Sequence, residues 1–332
     1  MFKTIVLAAT ASAIALPALA EEWDVSLWGK RRAFTEHVEK LAELVSEKTG
    51  GEFTLNISYG GLSGERENLD GISIGAFEMA QFCAGYHPDK NPSLTVLELP
   101  FLGVETLEEE REISQAVYAS DAVRDDLARW NATALMPSPL PQYNLVGKGA
   151  VPSSLADLSG LSVRATGGIG DAMAELGATP TSMSATEVRQ AMDSGVVQAV
   201  SFAPHAHMSF GTADAADWWT TNLNPGTVNC PVVVNTDALN GLSDAHREAL
   251  LGSVDEALDY YVQYYNDETM AAWGPLLQEN GIAEVSFDPD NLADLKARVA
   301  EPAAAAWVEE NSARGIDAQG LLDMVQTMAA EQ

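Results

Sequence analysis

Between positions 20 and 60 the apolar residues change their spacing twice, and that alternation restricts the fold more than any other feature of the chain. Trp23, Val25 and Leu27 alternate with Asp24 and Ser26, the period of two of a strand with one buried face. Phe34, Val38, Leu41 and Val45 then recur at four, three and four residues, the spacing of one helical face, and Gly50-Gly51 stops the helix. Phe53, Leu55, Ile57 and Tyr59 return to alternation. Strand, helix, strand is the βαβ unit, which demands a parallel sheet with helices laid over it.

The same grammar continues with a short helix over 66–74 and an apolar strand over 79–83, completing one α/β lobe. A second copy starts with a strand over 161–163, a helix over 171–176 and a turn at Gly177-Ala178-Thr179-Pro180. Ser184 and Glu187 have the spacing of a capping box for a helix that Gly195 closes, and strands are predicted over 196–202 and 231–234. Past Ser243, the spacing of Leu250, Val254, Leu258, Tyr261 and Tyr265 predicts one long helix bracing both lobes. No low-complexity linker separates the lobes, so ordered chain must cross between them several times, which is a hinge architecture. The 332 residues and 46% hydrophobic content suit two domains with real cores. The expected division is 21–143 with about 231–270 for the first lobe, and 144–230 with about 271–332 for the second.

Residues 1–20 carry Lys3, an apolar run over 5–16, Pro17 and an Ala18-Leu19-Ala20 ending, the pattern of a secretory signal with its cleavage site. The run is too short to span a bilayer, and no later stretch is long enough either. The expectation is export to the periplasm of a Gram-negative cell, without direct membrane insertion. With 48 acidic against 18 basic residues, a net charge of −30, the chain repels nucleic acid and anionic lipid, so neither is a partner. An anionic ligand would need a locally positive pocket. The two cysteines, Cys83 and Cys230, lack zinc-site spacing. Export permits a disulfide, but each lies in an apolar strand-like run, and two buried free thiols are expected.

Several segments in order resemble the extracytoplasmic solute receptors of tripartite ATP-independent periplasmic (TRAP) transporters, in the dicarboxylate-binding branch. They are Gly64-Glu65-Arg66-Glu67, Ile74-Gly75-Ala76-Phe77-Glu78-Met79-Ala80, Leu97-Glu98-Leu99-Pro100-Phe101-Leu102, Asp157-Leu158-Ser159-Gly160-Leu161-Ser162-Val163-Arg164, Leu176-Gly177-Ala178-Thr179-Pro180, Glu187-Val188 and Gly195-Val196-Val197. The resemblance implies a two-lobed periplasmic-binding fold, hinge closure on a small carboxylate, and delivery to membrane permease subunits. The receptor is expected to act as a monomer.

Arg164 follows the 161–163 strand, and the resemblance implies that it grips the ligand carboxylate. Its planar fork donates two parallel hydrogen bonds and keeps its charge when buried. The sequence departs from the family at Tyr143, where many relatives have a second arginine, and at Phe202, where many have an asparagine. A C4-dicarboxylate would lose one cationic partner, which is costly for a buried carboxylate. The residues that remain are aromatic: Trp28, Tyr143, Phe202 and the pair Trp218-Trp219. Such faces suit a zwitterion such as a betaine, a sulfonium carboxylate or an ectoine-like osmolyte, with its cation over the rings. A C4-dicarboxylate or another organic acid is the alternative. Glu65, Cys83 and Asn229 complete the candidate set, with Gly85 shaping the cleft.

Catalytic signatures are missing: there is no G-x-S-x-G elbow, H-E-x-x-H or P-loop, and Gly167-Gly168-Ile169-Gly170 lacks dinucleotide spacing. His205-x-His207 would share a face if extended, but without a third ligand nearby the expectation is a pair of solvated loop histidines. No metal and no cofactor is expected, and the chain reads as a binder. A secreted enzyme on a two-lobed scaffold is the rival.

Overall fold

A computed structural model describes residues 20–331; the expected leader lies outside the described residues except for Ala20. The described strands are β1 (Glu21–Leu27), β2 (Phe53–Tyr59), β3 (Met79–Gln81), β4 (Ala132–Met136), β5 (Asn144–Gly147), β6 (Ser162–Arg164), β7 (Thr179–Thr181), β8 (Ala199–Phe202), β9 (Trp218–Thr220), β10 (Val232–Asn235) and β11 (Ala283–Val285). They form two sheets, β2-β1-β3-β10-β4 and β11-β9-β5-β8-β6-β7, one for each lobe.

The opening unit forms as its spacing dictates. Trp23, Val25 and Leu27 turn inward while Glu22 and Asp24 face water, and β1 pairs in parallel with β2 from Glu21 opposite Phe53 to Leu27 opposite Tyr59. The helix Glu36–Lys48 connects them and buries Val38, Leu41 and Val45 in the first lobe's core. Each such side chain contributes about 1.5–3 kcal/mol by leaving water. In the second lobe β6 pairs in parallel with β7 and β8, so Arg164 stands at the end of an interior strand.

Antiparallel β10 lies between β3 and β4, which returns the chain from the second lobe into the first sheet. Past Ser243 the helix is not single. Asp244–Leu251 is separate, Gly252 and Ser253 interrupt it, and a helical run resumes through Val254–Tyr264, a π turn at Tyr265–Thr269 and Met270–Glu279. That run packs first on Glu36–Lys48 and last on the helix Pro204–Ser209, so it does reach both lobes. The helix Pro289–Ala313 also reaches both, touching Gly167–Glu175 of the second lobe and the turn Pro92–Glu98 of the first. The final helix, Ala318–Ala330, packs on Leu107–Tyr118, in the first lobe's core and not the second's.

Three local expectations change. The turn at 177–180 contributes β7, because Thr179 to Thr181 find edge pairing beside β6. Ser184 caps no helix: its hydroxyl bonds Glu65 across the cleft, and the helix Val188–Asp193 starts without a side-chain cap. The cysteines are not free. The β3–β10 ladder continues through Phe82 N–H to Pro231 O (3.2 Å) and Ala84 N–H to Asn229 O (2.8 Å), which sets Cys83 opposite Cys230, and the two form a disulfide.

Candidate functional site

The lobes meet around a largely enclosed cavity. Trp28, Arg32 and Phe34 enter it from the segment after β1, Tyr86 and Glu98 from the loops after β3, and the disulfide from the β3–β10 junction. The second lobe contributes Arg164 from β6, Phe202 from β8, and His205 and Phe210 from the helix after β8.

Arg164 is only 3% exposed. Its Nε and Nη2 both donate to Met183 O (3.3 and 3.2 Å), Nη1 donates to Ser201 O (3.2 Å), and Nη2 also donates to the Tyr86 hydroxyl (3.2 Å). The guanidinium carbon lies 4.4 Å from the Phe202 ring centroid. The Tyr86 hydroxyl also accepts from Ala185 N–H (3.2 Å), so both of its lone pairs serve the second lobe and its own proton is left to donate.

Arg32 drew no notice in the sequence, yet it lies in the same cavity, 7% exposed. Its Nη1 donates to the carbonyls of Trp28 and Lys30, both at 2.8 Å. Its guanidinium lies 4.3 Å from the Trp28 ring centroid, 5.2 Å from Phe34 and 5.4 Å from Phe210. Nε and Nη2 are buried without a protein partner. Burial lowers its pKa to about 10, which still leaves it charged at neutral pH. The Lys30-Arg31-Arg32 run hid it: Arg31 points outward to Glu36, and the turn Ala33–Thr35 sends the next residue inward.

Glu98 is the buried carboxylate of the site. Its Oε1 accepts from Gly85 N–H and Asn229 N–H, both at 3.0 Å. Burial pushes its pKa up to about 7, against the opposing pull of those two bonds and of Arg164. A Cβ at Gly85 would lie 2.4 Å from Glu98 Oε2, so a side chain there would displace that carboxylate.

Of the candidates, Arg164, Trp28, Tyr143, Phe202 and Cys83 come together in the cavity. Glu65 stands outside that wall, where it accepts from Ser184 across the cleft. The Asn229 side chain turns away, accepting from Tyr118 Oη at 2.9 Å and donating to Ser114 Oγ at 3.2 Å. Trp218 packs on Gly147, where a Cβ would sit 1.9 Å from the indole, and Trp219 packs edge-on against Trp273. Neither reaches the cavity, because β5 lies between β9 and the cavity-lining β8.

His205 and His207 are helical and buried, not solvated. Pro204 at the first helical position starts the turn that carries them. His205 Nδ1 pairs with Tyr265 Oη (2.9 Å) and lines the cavity; His207 Nδ1 pairs with Thr212 Oγ1 (2.8 Å) behind it. Burial holds both well below the usual imidazole range, His207 at about 3, so both are neutral. Among the described residues no cluster of His, Cys, Asp or Glu could hold a metal ion.

The family described as bacterial extracellular solute-binding protein, family 7 (DctP), matches residues 25–310. The chain belongs to that family. A curated relative, described as the outer membrane transporter protein TsaT of Comamonas testosteroni, is 22% identical over 306 residues, covering 88% of this chain and 86% of the relative. A marine metagenome TRAP solute-binding protein specific for aromatic acid ligands, solved with metahydroxyphenylacetate, superposes with a TM-score of 0.84 at 22% identity over 94% of this chain and 99% of that one. DctP7 of Bordetella pertussis, a receptor binding pyroglutamic acid, gives 0.79 at 21% identity over 92% and 100%. A Roseobacter denitrificans TRAP protein with bound β-D-glucuronate gives 0.78 at 23% identity over 92% and 99%. These likenesses establish the two-lobed fold. Members of the family are extracellular solute-binding proteins, so the secreted-enzyme reading is set aside. No helix among the described residues is long and apolar enough to cross a membrane.

Proposed function

We propose that this chain is a periplasmic receptor that closes its two lobes on a small ring-bearing organic acid and hands it to a TRAP membrane permease. One observation carries the reading: two guanidiniums face one buried cavity whose only carboxylate, Glu98, has its pKa pushed up to about 7. An anion is what such a cavity lacks. Arg164 serves it together with its cross-cleft partner Tyr86, whose free O–H adds a donor.

The body of the ligand follows from what the rings already do. Phe202 lies against Arg164 and Trp28 against Arg32, so the faces that would have held a betaine, sulfonium or ectoine-like cation already face protein cations. Phe34 and Phe210 also lie against Arg32, so this wall suits a neutral ligand body better than a cationic one. The solved relatives bind aromatic acids, pyroglutamic acid and a uronate, each a carboxylate on a compact ring, which supports the same reading. A thermal-shift screen tests it, since ligand at a hundred times Kd stabilises by about 2.7 kcal/mol. Ring carboxylates should raise the melting temperature and glycine betaine should not; stabilisation by betaine or a sulfonium carboxylate alone would overturn the ring-acid reading.

A further inference from the structure

We propose that Arg32 is a second ligand-anchoring residue, taking an oxygen acceptor of the ligand side-on through its Nε and Nη2, so that the solute carries such a group at both ends. The inference rests on the organic-acid reading and deepens it. A guanidinium has three edges, and the one between Nε and Nη2 presents two parallel N–H groups at the spacing of carboxylate oxygens. In Arg32 the remaining nitrogen, Nη1, is fixed by the Trp28 and Lys30 carbonyls, which locks the plane. Trp28, Phe34 and Phe210 hold its position from three sides. What is left is that whole fork, buried and without a protein partner. Buried charged donors left unpaired are costly, and arginine is rarely kept so unless something else accepts.

Arg164 differs at the same edge: its Nε and Nη2 share Met183 O. The two arginines therefore do not duplicate each other. Arg164 offers charge from the second lobe on a fork already braced by protein, and Arg32 offers an open fork from the first. A ligand touching both ties the lobes together, which biases the hinge toward closure. The acceptor on Arg32 is a carboxylate or a carbonyl oxygen, both of which fit two parallel N–H donors.

Calorimetry on matched pairs tests this without any mutation: benzoate against isophthalate and against 3-formylbenzoate, cyclopentanecarboxylate against cyclopentane-1,3-dicarboxylate, and propanoate against succinate. At least one two-acceptor member should bind tighter than its one-acceptor partner by about tenfold or more, the size of a charge-assisted hydrogen bond. The formyl and carboxyl arms separate a carbonyl from an oxyanion. Arg32→Met should then weaken the two-acceptor member far more than its partner, bringing the two to within about threefold of each other, while Arg32→Lys should restore part of the preference by charge alone. Equal affinities within every pair in the wild-type protein, or an Arg32→Met variant that weakens both members alike, would overturn the proposal while leaving organic-acid capture standing. If no acid of either kind bound, the proposed function would fail with it.

Discussion

Arg164 and Arg32 reach one cavity from opposite lobes, and both lay their guanidinium against aromatic rings, but their hydrogen bonding differs. Arg164 is held by two backbone carbonyls and a tyrosine hydroxyl, whereas Arg32 is held at one nitrogen and free at the other two. The difference separates two tasks that a single arginine usually combines. A fully braced cation fixes the local potential and the geometry of its loop; a half-braced one keeps directional donors in reserve for something that arrives later. Selectivity should therefore follow the half-braced arginine, and capture as such the braced one.

The strongest way to break that comparison is to delete the braced member. Arg164→Ala removes a buried charge from the cavity and strands the carbonyls of Met183 and Ser201, so loss of acid binding by about a hundredfold or more is expected, with Arg164→Lys intermediate. Titration calorimetry on any acid that binds the wild-type protein reads it. Retention of binding would mean that Arg32 alone captures the ligand, and the division of labour would be gone.

Next in size is the disulfide beneath both arginines. Cys83 and Cys230 close a loop of 147 residues, and a bridge of that kind contributes about 2–4 kcal/mol, mainly by restricting the unfolded chain. Reduction, or the Cys83→Ser/Cys230→Ser double variant, should lower the folding stability by about that amount, read as a lower melting temperature, while preserving the ratio of affinities within a ligand pair. A changed ratio would show that the bridge also sets the spacing of the two forks.

How much of this was legible differs by residue. The first βαβ unit could be read outright because burial on one face imposes a period on the sequence. Arg164 could be singled out as well, through the family resemblance together with its place after the 161–163 strand. Arg32 could not, because adjacent basic residues look alike until a turn decides which of them faces inward. Nor could the disulfide, which depends on the register of two strands far apart in sequence. The tryptophan pair failed for a related reason: strand order, which puts β5 between them and the cavity wall, is a tertiary fact. Pro204, by contrast, was a visible helix-start signal that would have moved His205 and His207 out of a solvated loop.

A third test uses pH, because the buried carboxylate Glu98 feels Arg164 and not Arg32 among its strongest influences. Its folded pKa of about 7 lies above the ordinary carboxylate value of 4.5. A group shifted that way contributes stability that is fully present below the unfolded pKa and lost as pH rises through the folded one. Glu110, pushed to about 8 by burial in the first lobe's core, acts in the same direction. His37 and His207, held down at about 3 by burial, and His205 act oppositely, losing stability as pH falls below about 6.5. Stability should therefore peak near pH 6 to 6.5 and decline toward pH 8, by about 1 kcal/mol for Glu98 and more for Glu110, and Glu98→Gln should lessen that decline. Acid affinity should fall over the same interval, as ionised Glu98 offsets Arg164. A decline that survives the substitution intact would locate the proton elsewhere.

The smallest effect discriminates most finely. Tyr86 belongs to the first lobe, yet its hydroxyl accepts from Arg164 Nη2 and Ala185 N–H of the second, while its ring sits edge-on to Trp28 at 6.3 Å, the ring that also carries Arg32. It touches both arginine assemblies, through its oxygen on one side and its ring on the other. Tyr86→Phe removes the oxygen and keeps the ring. Arg164 then loses one of four contacts and Ala185 N–H its acceptor, a cost of about 1 kcal/mol or somewhat more, or roughly five- to tenfold in affinity. Because the ring survives, the surroundings of Arg32 should not move, and one-acceptor and two-acceptor acids should weaken by the same factor in calorimetry. If the preference between paired ligands changed as well, the hydroxyl would be acting on the Arg32 end of the solute, and the separation between a bracing and a selecting arginine would have to be redrawn around Tyr86.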